Sequence, residues 1–320
     1  MSIRIGISLG DPSGVGPETV AKAILSLETP EVEYLLFCDK KLFSSSANRF
    51  RWAAELLALD GCGLEFYGSP EFPGPAKRFC PTPEGGAFAY RSLTDGIDKA
   101  LGGKIDALIT APLSKSSLNL AGYYYPGNTE ILKEKSSVPR VVMMLLAGDF
   151  RVIPLTRHVA LKDVPGLITE PLIVDSARIV SNSMATYEGL GYPRIGVLAL
   201  NPHGGEDGLF GSEEEVISSA INKLSSEGYN IEGPLVPDTT FVPRYRNRYD
   251  VIIGMYHDQV LIPLKMTGFE RGVNVTLGLP FIRTSPDHGT AFDIAGTDSA
   301  DPSSTIEAIR LAIKWAQAIS

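Results

Sequence analysis

The chain has 320 residues, 44% of them apolar and 21% charged, with a net charge of −8. This is the composition of a folded soluble protein long enough for two cores, and its acidic balance excludes non-specific nucleic-acid binding, which needs a basic footprint. The three cysteines, Cys38, Cys62 and Cys80, form no CxxC pair, so they specify neither a disulfide framework nor a zinc ribbon, and the cytoplasm is the expected compartment.

The N-terminal run RIGISLG is interrupted by Arg4 and stopped by Asp11 and Pro12, which makes it too short for a signal peptide or membrane span. It reads as a first strand. Gly10-Asp11-Pro12-Ser13-Gly14-Val15-Gly16-Pro17-Glu18 then turns the chain into a helix, with Pro17 and Glu18 suited to its first turn. Gly14 and Gly16 match two glycines of a dinucleotide fingerprint, but Thr19 stands in the third place and Pro17 removes an amide. A tight strand-to-helix turn is the better reading.

Further apolar runs follow in EYLLFCD, DALITAP, RVVMMLLAG, RVIPLT, RIGVLALNP and DVIIGMYHD, each bounded by Gly, Pro or Asp. Helix-like stretches alternate with several of them: PETVAKAILSL, SLTDGIDKALGG and SEEEVISSAINKLSSEG, the last opened by Ser212 as an N-cap with a capping-box glutamate. A final helix over Ser304 to Ile319 carries the stripe Ile306, Ile309, Ile313 and Ala316, aimed at the sheet of the N-terminal half. Alternating strands and helices specify an α/β protein with a mostly parallel sheet. Loop-rich stretches near Gly122 to Asn128 and Gly289 to Pro302 divide it into a discontinuous first domain, 1–125 plus 296–320, and a second domain, 126–295, holding the motifs below.

Of the four histidines, three stand in similar settings: His158 in LTRHVALKDVP, His203 in LNPHGGEDGLFG and His257 in GMYHDQVLIPLK. Each ends an apolar run and opens a polar loop, which in a parallel sheet is the carboxyl end of a strand, where ligands bind. Three imidazoles there suit one divalent metal with positions open for substrate oxygen, although spacings of 45 and 54 residues match no local metal motif. Lys265, Asn274 and Arg283, at nine-residue intervals, would make an anion clamp or stand as surface charges. The loop from His288 through Gly289 and Asp293 to Gly296 would let backbone approach a nucleotide, with Asp293 favouring the ribose diol of NAD over the 2′-phosphate of NADP.

Together with ITAPLSK at Ile109 to Lys115 and PGNTE at Pro126 to Glu130, these motifs resemble the 4-hydroxythreonine-4-phosphate dehydrogenase (PdxA) family along essentially the whole chain. The likeness extends more distantly to isocitrate and isopropylmalate dehydrogenases. It implies a homodimer of two α/β/α domains with the active site in the interdomain cleft. It also implies one metal (zinc, cobalt, manganese or magnesium) on His158, His203 and His257, with His257 contributed by the second subunit. Lys265, Asn274 and Arg283 would hold the substrate phosphate, Asn128 and Thr129 would contact substrate, and Asp258 and Lys115 are candidates for the proton acceptor. The implied reaction is NAD-dependent oxidation of a secondary alcohol followed by decarboxylation. Where the family usually reads GHTE, this chain has Gly127-Asn128-Thr129-Glu130. Asparagine hydrogen-bonds but cannot titrate near neutrality, which leaves open a paralogue acting on threonate or erythronate 4-phosphate, or a non-catalytic phosphate-ligand protein.

Overall fold

The computed structural model describes residues 2–68 and 79–320. They form two compact units: residues up to Pro139 with Leu279–Ala318 and Ser320, and Arg140–Gly278 with Ile319. The boundaries expected at 125/126 and 295/296 both fall inside the first unit. Helix Asn128–Lys135 buries Thr129, Ile131 and Leu132 there, and Val15 packs with Ala295 and Ala300. The helix carrying Asn128 and the loop carrying His288 therefore belong with the N-terminal half rather than with the histidines.

In the first unit β1 (Ile3–Ser8), β2 (Val32–Leu36), β3 (Leu64–Phe66), β4 (Ala107–Thr110) and, much later in the chain, β11 (Ile282–Pro286) lie in the order β3-β2-β1-β4-β11. Every neighbouring pair is parallel. Ile5, Ile7, Leu36 and Leu108 are wholly buried, as expected for strands covered on both faces. The chain winds from β1 towards β3, then returns to β4 on the other side of β1. The winding reverses between β1 and β4, and the carboxyl ends of those strands border the crevice where such sheets bind ligands. The last helix, Ser303–Ile319, packs in this unit with Ile309, Ile313 and Ala316 buried and Ile306 half-buried. Thr284 Oγ1 ties it to β11 by donating to the Ala308 carbonyl (2.9 Å).

The second unit holds β5 (Val142–Ala147), β6 (Phe150–Thr156), β7 (Ile195–Leu198), β8 (Ile231–Leu235), β9 (Val251–Tyr256) and β10 (Val273–Leu277), in the order β10-β5-β6-β9-β7-β8. The β10/β5 and β5/β6 pairs are antiparallel, while β6, β9, β7 and β8 run parallel. Phe150, Val152, Leu198 and Ile252 meet Val260, Leu261 and Leu264 in its core. The last three lie on one face of helix His257–Gly268 at i, i+1 and i+4. All seven strands read from apolar runs are present. Strands β3, β8, β10 and β11 are additional; β8 contains Gly233 and Pro234, and the segment around β10 and β11 reads as loop because of its Gly and Pro content.

One expected cap is absent. Helix Glu213–Ser226 follows Ser212, but the Ser212 side chain makes no cap bond. Glu213 and Glu214 instead turn back onto Asn201. Among the described residues no helix is long and apolar enough to cross a membrane.

Candidate active site

At the crevice of the first unit, Gly10 adopts φ +63°. An added Cβ there would run into the Pro112 carbonyl, so glycine lets the loops after β1 and β4 touch. Asp11 N donates to Pro112 O (2.9 Å). The Asp11 side chain is fully buried; Oδ1 accepts from Ser13 N (3.0 Å) and Oδ2 from Ser117 Oγ (2.5 Å). Burial raises its pKa, and the two hydrogen bonds oppose that rise. Ser114 caps helix Lys115–Leu120 by accepting from Ser117 N (3.1 Å), which leaves Lys115 exposed on its first turn.

Arg283, on β11, is 2% exposed, and its Nε and Nη2 donate to Thr110 Oγ1 at the end of β4 (3.1 and 2.5 Å). Burial pushes its pKa down to about 9. A surface-charge reading is thereby excluded, because a guanidinium removed from water is strongly disposed to meet an anion. Asn128 is half-buried and Thr129 buried at the start of their helix. His288 Nδ1 lies 3.0 Å from the Gly289 carbonyl. A carbonyl only accepts, so Nδ1 carries the proton. Nε2, buried without a hydrogen-bond partner among the described residues, is then the lone-pair side of the ring in its neutral form. Gly289 and Asp293 are exposed.

In the second unit the parallel strands β6, β9 and β7 are adjacent, and their carboxyl ends share one edge. Thr156 pairs with Tyr256 across β6 and β9, which places His158 and His257 just beyond the same level of the sheet. Their ring centroids are 5.8 Å apart. His203 follows the neighbouring β7. The three histidines thus follow three consecutive strands of the sheet. Among the described residues, however, no three His, Cys, Asp or Glu side chains gather into a metal-binding group within one chain.

The local backbone is specialised. His158 and His203 are left-handed at φ +49° and +53°, whereas His257 is the first residue of the helix that continues β9. Gly254 of β9 permits this close strand-helix junction, because an added Cβ would strike Val260. Gln259 braces the same junction, accepting from Met255 N (2.7 Å) and donating to Ala199 O (2.8 Å). Asp258 Oδ1 lies 2.7 Å from His257 Nδ1. An ionised carboxylate only accepts, so it fixes the proton on Nδ1 and leaves Nε2 as the donor to a cation, the arrangement common behind metal-ligating histidines. The donor chemistry fits a divalent metal, since an imidazole nitrogen with its partner nitrogen held by a carboxylate is an ordinary ligand of zinc and its neighbours.

Glu214 was not marked by the sequence beyond its place in a helix start. It is 9% exposed; Oε1 accepts from Leu200 N (3.0 Å) and Asn201 N (2.8 Å), and Oε2 from Asn201 Nδ2 (3.0 Å). It fastens the exit of β7 just before His203. Burial raises its pKa, but the bonds from Asn201 and Leu200 prevail and hold it below the usual carboxylate value. Lys265 is half-buried on helix His257–Gly268. Asn274 pairs with Leu145 in β10, with its Oδ1 buried and lacking a partner among the described residues. Lys265 and Asn274 accompany the histidines in the second unit, while Arg283, Asn128, Thr129, Lys115 and His288 belong to the first.

The family model described as pyridoxal phosphate biosynthetic protein PdxA matches residues 65–312. A 4-hydroxythreonine-4-phosphate dehydrogenase of Xanthobacter autotrophicus is 42% identical over 328 residues, covering 98% of this chain and 93% of that protein. Among solved structures, a 4-hydroxythreonine-4-phosphate dehydrogenase from Klebsiella pneumoniae superposes with a TM-score of 0.86 at 34% identity, covering 99% of each chain. A terephthalate 1,2-cis-dihydrodiol dehydrogenase from Burkholderia xenovorans does so with a TM-score of 0.67 at 26% identity, covering 98% of each. The match extends along nearly the full length of chain and relatives alike, and by it this chain belongs to the PdxA family.

Proposed function

We propose that this chain oxidises 4-phosphohydroxy-L-threonine with NAD and that the resulting β-keto acid loses carbon dioxide to give 3-amino-2-oxopropyl phosphate, within pyridoxal 5′-phosphate biosynthesis. The observation that carries the reading is the edge formed by β6, β9 and β7, where three consecutive strands end in histidines and Asp258 presets the His257 ring. His158, His203 and His257 would hold a divalent metal, supplied by the subunits of a homodimer in the cytoplasm. When bound, the metal would polarise the substrate hydroxyl and stabilise negative charge on its oxygen.

The chain's own groups would do the rest. Arg283 and Lys265 would donate to the phosphate, as would Asn274 through Nδ2, while Asn274 Oδ1 is left to accept from a donor of substrate or solvent. Asn128 and Thr129 orient the polar end of the substrate. His288, Gly289 and Asp293 hold the dinucleotide. NAD, when bound, would accept the hydride of the carbinol carbon, and the hydroxyl proton would have to leave to a group of the chain. Lys115 or Asp258 is its acceptor, and the bond of Asp258 to His257 makes Asp258 the ring-orienting partner first. Carbon dioxide then departs, leaving its electron pair on the adjacent carbon as an enolate.

A buried guanidinium at 283 favours a phosphorylated substrate over an aromatic dihydrodiol. Within phosphorylated substrates, Asn128 leaves threonate or erythronate 4-phosphate as the second reading. The test is NADH formation by metal-supplemented enzyme with 4-phosphohydroxy-L-threonine against D-threonate and D-erythronate 4-phosphates. Preference for the amino acid supports the proposal, preference for a sugar acid replaces it with the paralogue, and NAD binding without turnover on any of them leaves a non-catalytic binding protein.

A further inference from the structure

The opening motif Gly10 to Glu18 resembles a phosphate loop only in part, and its polar and steric contacts point elsewhere in the first unit. An added Cβ on Gly14 would stand 2.6 Å from the Thr290 carbonyl. Val15 N donates to that carbonyl (2.9 Å), and the Val15 side chain packs with Ala295 and Ala300, flanked by Ala291 and Ile294. Glu18, 3% exposed, accepts through Oε1 from Ala300 N (3.0 Å) and from Lys22 Nζ (2.8 Å). Lys22 Nζ in turn reaches Asp298 Oδ1 (3.0 Å) and the carbonyls of Asp298 (2.9 Å) and Ala300 (3.4 Å). These residues grip both ends of the segment from 290 to 300, more than 270 positions away in sequence.

The gripped segment needs holding. Ala291 and Asp298 are left-handed at φ +41° and +66°, beside Gly296 at +70°. Such backbone is unfavourable for residues other than glycine unless its surroundings impose it. Bonds within the segment are short-range, such as Ile294 N to Ala291 O (3.2 Å) and Thr297 N to Ile294 O (3.2 Å). They close turns without fixing the segment to the rest of the unit.

We propose that Glu18 and Lys22 are positioning residues for NAD: they latch segment 290–300, so that His288, Gly289 and Asp293 meet the dinucleotide already ordered. This rests on the reading of 288–296 as the cofactor loop. An unlatched loop would be ordered at the expense of binding energy, so latch loss raises the KM for NAD while the reacting groups keep their rate once NAD is bound.

The experiment compares wild type with Glu18→Gln and Lys22→Met, the second keeping the buried carboxylate and the aliphatic stem. Backbone hydrogen exchange over 290–300 is measured alongside kcat and the two Michaelis constants with 4-phosphohydroxy-L-threonine. The expected result is faster exchange in that segment and a KM for NAD raised roughly tenfold, with kcat and the substrate KM unchanged. Unchanged exchange in both variants overturns the latch. Faster exchange with an unchanged KM for NAD overturns the cofactor reading on which the proposal rests, leaving the latch itself demonstrated. A joint fall in kcat and both affinities marks a global disturbance and overturns the positioning role.

Discussion

Replacing Glu214 with Ala should release the loop that carries His203. The carboxylate serves three donors at the exit of β7: Leu200 N, Asn201 N and Asn201 Nδ2. Beyond it His203, Glu206 and Asp207 are all left-handed non-glycine residues, at φ +53°, +44° and +55°, so this backbone has little tendency to hold its shape unaided. Hydrogen bonds to a charged acceptor contribute about 1.5–3 kcal/mol each when intact, but the freed amides here are part-buried and regain water, so about 3 kcal/mol for the set is a reasonable net loss. If the loop opens locally, that corresponds to about 10²-fold faster amide exchange at Leu200 and Asn201. If the loss is transmitted to the whole fold, the melting temperature falls by roughly 4–5 °C. The pH dependence has a definite sign. The folded pKa of Glu214 lies below its ordinary 4.5, so its contribution is fully present above about pH 4.5 and is lost as pH falls through the depressed folded value. Glu214→Gln should remove that acid-side dependence while preserving shape. Wild-type exchange at Leu200 and Asn201 in Glu214→Ala, with an unchanged melting temperature, would refute the reasoning.

Arg283→Ala should raise the KM for the phosphorylated substrate by about 30-fold to 10³-fold, equivalent to the 2–4 kcal/mol of a lost charge-assisted pair. The KM for NAD should change little, and equal shifts in both would indicate a disturbed fold. His203→Asn, chosen because asparagine tolerates φ +53°, should weaken metal binding by at least the about 10–100-fold seen when an outer partner is lost. It should abolish turnover with NAD affinity retained, as checked by metal titration and NAD-binding calorimetry. Gly86→Ala should lower the unfolding free energy by about 3 kcal/mol, at the upper end of overpacking costs, as read from denaturant titration, because the added Cβ strikes the Ser117 backbone and Ser117 carries the bond to Asp11.

Seven strands were legible because apolar runs buried on both faces need no alternation and end sharply at Gly, Pro or Asp. β8, IEGPL, was not, because Gly233 and Pro234 interrupt it. The histidines were legible as strand-end residues because each follows such a run. Their neighbourhood was not: the placement of β9 between β6 and β7 is a pairing of segments about 50 to 100 residues apart, decided by packing rather than by local pattern. The same limit hid Glu214, which looks like an ordinary first-turn acid, and led Ser212 to be read as a cap. It also put the His288 loop in the wrong half. The contacts that bind it to the first unit, Val15 to Thr290 and Glu18 to Ala300, join the two ends of the sequence.

The conformations of the three histidines follow from their places in the sheet. β9 is the middle strand of the three and runs directly into a helix, so His257 sits at the strand end with ordinary helical geometry and is aligned by its neighbour Asp258. β6 and β7 flank it, and on both the chain enters a left-handed residue after the strand, at His158 and again at His203. Left-handed backbone outside glycine persists only where the surroundings over-determine it. Here Gln259 braces the β9 exit against Ala199 and Glu214 braces the β7 exit at Leu200 and Asn201. Histidine, with asparagine and aspartate, is among the side chains that enter this conformation most readily, so at both flanking positions one residue can serve the turn and still present an imidazole beside the third, whose Nδ1 already meets a carboxylate.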